Sequence, residues 1–74
     1  MPKTYSSNHI IKILLKNNFE YISQRGSHVK YRKTIKEGAS STVIIPANKK
    51  EIPYGTFRAI CTQSHLDESE FKKK

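Results

Sequence analysis

The chain has 74 residues, with fourteen Lys and Arg against six Asp and Glu, a formal net charge of +8 and a pI near 9.8. Chains of this length hold one domain with one small core and bury only about 60% of their unfolded surface, which disfavours a deep, enclosed active site. The basic excess favours a polyanionic partner, nucleic acid ahead of a membrane surface, and no stretch approaches the roughly 20 apolar residues of a membrane span.

Residues 1–7 carry one lysine and no apolar run, so they do not read as a signal peptide. The first periodic segment, residues 7–17, places Ile10, Ile11, Ile13, Leu14 and Leu15 at helical spacings, with Lys12 and Lys16 off the densest stripe. Ser6 or Ser7 suits the N-cap, and Asn17-Asn18 suits the stop because Asn tolerates the left-handed conformation. Residues 19–24, Phe-Glu-Tyr-Ile-Ser-Gln, change the period and read as a strand. Arg25-Gly26-Ser27 is then a break, with Gly26 free to take positive φ, and a second strand starts at His28. Residues 34–40, with Gly38, read as a rather long loop, and residues 41–45 as a third strand ended by Pro46.

A basic connector, residues 47–52, leads to a second helix over residues 53–64, whose proline is placed where its missing N–H costs nothing. Phe57, Ile60, Cys61 and Ser64 form its inner stripe. Asp67 with Glu70 has the spacing of a capping box and predicts a short final turn over residues 68–71, followed by a basic tail. The expected architecture is α+β, in the order α-β-β-β-α, with a three-stranded antiparallel sheet and both helices on one face. The whole of 1–74 is expected to be one domain, with a core over about 7–66 and the capped turn and tail over 67–74.

Alternation along the second strand separates Val29 and Tyr31 from His28, Lys30 and Arg32. If the apolar pair faces the helices, the histidine and its cations lie on the open face of the sheet. No phosphate loop and no nucleophile elbow is present, and the carboxylates do not pair at catalytic spacings. Cys61 is the single cysteine, so no internal disulfide forms, and no Cys/His set has zinc-like spacing. The simplest expectation is a cytosolic protein with neither metal nor cofactor.

The histidines are then the candidates. His9, early in the first helix, reads as a solvated surface residue, and His65, just past the second helix, as a structural one favoured by the helix dipole. His28 stands among Arg25, Lys30 and Arg32. Imidazole titrates near neutrality, nearby cations favour the neutral form that accepts a proton, and the same cations hold a phosphodiester. On RNA such a base activates the adjacent 2′-hydroxyl against the phosphate without a metal. Gly26 and Ser27 build a tight turn in the first place, and compatibly with that role they offer donors to a phosphate oxygen. Lys49 and Lys50 in the connector complete the expected phosphate contacts.

Phe19, Gln24-Arg25-Gly26-Ser27-His28, Tyr31, the strand ending in Pro46, and Gly55-Thr56-Phe57-Arg58-Ala59-Ile60 together resemble the HicA toxin family. The resemblance covers nearly the whole chain, from about Ser7 to Phe71. It implies a toxin of a type II toxin–antitoxin pair with a fold similar to a double-stranded RNA-binding domain, which cleaves mRNA and arrests growth. It also implies that His28 is the catalytic histidine, and that a HicB-like antitoxin neutralises the toxin by covering its active face. Three departures stand out: Asn48 where relatives often carry histidine, His65 where glycine often closes the second helix, and the length of the 34–40 loop. The rival from another class is a non-catalytic RNA-binding module of the same fold, and a third reading is a module that only docks an acidic protein.

Overall fold

The structure is a computed structural model that describes residues 4–72. The first three residues and Lys73-Lys74 lie outside the described residues, and with them part of the start read above as carrying no signal peptide and most of the basic tail. Six elements follow in order: α1 (Ser7–Lys16), β1 (Glu20–Arg25), β2 (His28–Lys36), β3 (Ala39–Pro46), α2 (Tyr54–Ser64) and α3 (Glu68–Lys72). The strands form one antiparallel sheet in the order β1-β2-β3. No helix among the described residues is long and apolar enough to cross a membrane.

Local chemistry explains each boundary. The Ser6 hydroxyl accepts the His9 N–H at 3.1 Å and caps α1, and Asn18 ends it at φ 71. Gly26 takes φ 60 in the first position of a two-residue turn, the pattern that matches strand twist in a hairpin. Residues 34–40 are not the long loop expected. They are the end of β2, a turn at Glu37-Gly38 with Gly38 at φ 80, and the start of β3. His65 ends α2 at φ 60, ψ 26, the left-handed position that glycine occupies most cheaply. The His65→Gly variant is therefore expected to be more stable by about 0.5–1 kcal/mol, read as a higher urea midpoint with an unchanged slope.

Both long helices turn their apolar stripes onto the sheet face that carries Val29, Tyr31, Val43 and Ile45. Ile10, Ile13 and Leu14 from α1 and Phe57, Ile60 and Cys61 from α2 join those strand residues in one buried cluster. Ile11 is half-buried, whereas Leu15, expected in the stripe, is exposed. The core passes beyond 7–66 at both ends. Tyr5, bridged to Ile52 by a backbone bond of 2.8 Å, and Phe71 from α3 are both buried. His9 is accordingly no free surface residue. Its Nε2 donates to the Phe71 carbonyl at 2.5 Å and its ring stacks on Tyr5 with centroids 5.0 Å apart. Asp67 opens α3, accepting from the Ser69 hydroxyl at 2.7 Å, a contact that holds its carboxyl below the usual range.

Candidate active site

The register of the sheet settles which side chains share a face. Tyr21 pairs with Tyr31, but the next pair is Ser23 with Lys30, so Ile22 is the extra residue of a β-bulge. The bulge changes the phase of β1. Tyr21 stays on the helix side against Tyr31, while Ser23 and Arg25 turn to the open face beside Lys30 and His28. Without it, strict alternation would put Arg25 on the same side as Tyr21. Two rows of side chains then cross the open face: Arg25, His28 and Pro46 in one, Ser23, Lys30 and Ile44 in the next. Neighbours within a row stand on strands about 4.8 Å apart.

These rows enclose a cleft of about 300 Å³ lined by Ser23, Arg25, His28, Lys30 and Ile44. Of the eight residues singled out from sequence, Arg25, His28 and Lys30 come together there. Gly26 and Ser27 form the turn at its end. Arg32 lies further along the same face, opposite Glu20, with its Nε donating to the Thr42 hydroxyl at 3.4 Å. Lys49 and Lys50 are exposed on the connector beyond β3 and do not line the cleft.

Four hydrogen bonds that the sequence did not disclose hold this end of the sheet. Gln24 Nε2 donates to the Gly26 carbonyl at 3.0 Å, bracing the turn from within. The Ala47 N–H donates to the Ser27 carbonyl at 2.7 Å, tying the turn to the exit of β3. Ser7, almost fully buried, donates its hydroxyl to the Pro46 carbonyl at 2.6 Å and accepts the Lys49 N–H at 2.9 Å. Asn48 sits inside this loop at φ 58, a left-handed position that Asn tolerates. The chain around His28 is thus fixed by backbone bonds on both sides. Ser23 and Ile44 were also missed as cleft residues. For Ile44 the signal was available, since it follows Thr42 in the outward phase of β3. For Ser23 it was not, because the bulge sets its side.

A larger, more open cavity of about 500 Å³ lies between α2 and α3, lined by Arg58, Cys61, His65 and Glu68 among others. Its Arg58 and Glu68 side chains are engaged with each other. Glu68 also accepts the Tyr54 hydroxyl at 3.2 Å. Burial pushes the Cys61 thiol above its ordinary value, which leaves it a poor nucleophile. Among the described residues no three His, Cys, Asp or Glu side chains are grouped to hold a metal ion. The cleft around His28 therefore combines a proton-exchanging group with free cationic neighbours, as the larger cavity does not.

No curated protein matches the chain. A family model described as the HicA toxin of bacterial toxin-antitoxin matches residues 7–66. That span runs from the first residue of α1 to just past α2 and contains the bulged hairpin, the cleft and the connector. The chain belongs to the HicA toxin family.

Proposed function

We propose that this toxin is a metal-independent endoribonuclease that cleaves mRNA in the cytoplasm and arrests growth, with His28 as its catalytic group. The observation that carries the reading is the meeting of Arg25, His28 and Lys30 in one cleft on the open sheet face. Arg25 and Lys30 hold the scissile phosphate as fork and point cations respectively. The neutral His28 imidazole takes the proton of the adjacent 2′-hydroxyl, and the 2′-oxygen forms a bond to phosphorus. The bond from phosphorus to the 5′-oxygen breaks, and that oxygen leaves with a proton from protonated His28 or from water. The products are a 2′,3′-cyclic phosphate and a 5′-hydroxyl. Charge developing on the phosphate oxygens is met by Arg25 and Lys30, with donors from Gly26 and Ser27 at the turn. Arg32, Lys49 and Lys50 extend the basic track along which the strand lies.

As a toxin of a toxin–antitoxin pair, the protein has a cognate antitoxin. In the proposed reading that partner is HicB-like and inhibits by covering the open face, where an acidic surface would neutralise the same cations. The test is incubation of purified protein with an RNA transcript in EDTA. Cleavage with cyclic-phosphate ends supports the reading. Intact RNA, or cleavage that appears only on adding a divalent metal, removes it.

A further inference from the structure

The cleft is divided by chemistry as well as by strand. Its β1 and β2 side is polar and cationic, through Ser23, Arg25, His28 and Lys30. Its β3 side is apolar, through Ile44, with Pro46 beside His28. Ile44 is 39% exposed, and of the large apolar residues exposed on the described surface it alone lines this cleft. Its backbone N–H is taken by the Gln63 side-chain oxygen at 3.3 Å, which fixes that edge of the sheet under it. A phosphate seated at Arg25, His28 and Lys30 has its own charge satisfied on the β1 side. A nucleoside attached to it on the β3 side would lie over Ile44.

Resting on the nuclease reading above, we infer that Ile44 is a substrate-binding residue that packs against the sugar and base beside the scissile phosphate, and that the cleft takes single-stranded RNA. A base within an A-form duplex is stacked on both faces and paired at its edge, so it cannot lie on the floor of a sheet. An unpaired base can be splayed there, and its apolar face is a match for an aliphatic side chain. Apart from the His28 imidazole, which the phosphate occupies, the cleft is lined by no aromatic ring and no side-chain amide, so the contact is sequence-tolerant: it buries the base without reading its edge. The duplex-binding habit of similarly folded modules is thus not what this open face is built for.

The test uses equilibrium binding, so that it does not depend on turnover. A fluorescent 2′-O-methyl RNA strand, which lacks the hydroxyl needed for cleavage, is titrated with wild type and with Ile44→Ala, alone and annealed to its complement. Wild type is expected to bind the single strand at least about tenfold more tightly than the duplex. Ile44→Ala should lose about threefold to tenfold on the single strand, with the same dependence on salt, because no charge is removed. Ile44→Thr, which keeps a β-branched residue in the strand, should show an intermediate loss and guards against misfolding of the alanine variant. Equal affinity for duplex and single strand overturns the inference, and so does an Ile44→Ala variant that binds like wild type. In the latter case the exposed isoleucine serves a protein contact instead. A parallel incubation with unmodified strand reports separately on the nuclease reading.

Discussion

Replacing His28 with alanine is expected to lower the rate of RNA cleavage by about 10²- to 10⁴-fold, the usual contribution of a positioned general acid or base. Growth arrest on induction should be lost with it. The side chain is exposed and belongs to no core contact, so the variant should keep its fold and its helical circular dichroism. RNA affinity should change little, because in the proposed mechanism Arg25 and Lys30 hold the phosphate. His28→Gln is the sharper control. It retains hydrogen-bonding capacity at the same place but exchanges no proton, and it should be as inactive as alanine. Cleavage by either variant within about tenfold of wild type would show that the base lies elsewhere.

The same experiment separates the proposal from its rivals. A non-catalytic RNA-binding module would bind RNA with either residue at position 28 and cleave with neither. The start of α2, Tyr54-Gly55-Thr56, offers no lysine of the sort that would hold a duplex backbone at a helix N-terminus. A module that only docks an acidic protein would show no effect on RNA at all. Asn48 in the connector cannot exchange a proton. In the proposed mechanism the second proton transfer is left to His28 or to solvent.

Much of this was legible because its causes are local. The apolar spacing of α1 and α2, the cap at Ser6 and the left-handed stop at Asn18 all follow from a few neighbouring residues. The phase of β2 was also plain, since Val29 and Tyr31 are the only large apolar residues at its start and must face the helices. The bulge at Ile22 was not, because nothing in Glu-Tyr-Ile-Ser-Gln-Arg marks an extra residue. It accompanies a tertiary arrangement in which Tyr21 meets Tyr31 on the helix side while Arg25 meets His28 on the open face. Residues 34–40 were misread for a related reason. That end of the β2–β3 ribbon has Thr34, Ile35, Lys36 and Ser40 all exposed, so no inward and outward faces remain to create an alternation. The role of His9 was hidden because its partner, Phe71, is 62 residues away.

That distant partner sets the largest expected effect on stability. Phe71→Ala should destabilise the fold by about 3–5 kcal/mol, the range for removing a fully buried aromatic side chain. Phe71 has no exposed surface, and its ring meets Phe57 edge-on with centroids 5.2 Å apart. Phe57 in turn touches Tyr5, which stacks on His9, so one aromatic cluster joins both ends of the chain to α1 and α2. Losing the ring leaves a cavity at the centre of that cluster and frees the five-residue α3, which is too short to persist without it. The His9 bond to the Phe71 carbonyl would then be lost as well. Against a total of only about 5–15 kcal/mol for a small domain, such a loss leaves the protein marginal. Urea unfolding followed by circular dichroism measures it directly, and a cost below about 1 kcal/mol would show that α3 is dispensable. Phe71→Leu, which refills most of the volume, should recover more than half of the loss. The residues that build the cleft lie on the other face of the sheet, so what Phe71→Ala removes in activity should track the folded fraction and not the chemistry. A cleavage rate per folded molecule equal to wild type is the expected result.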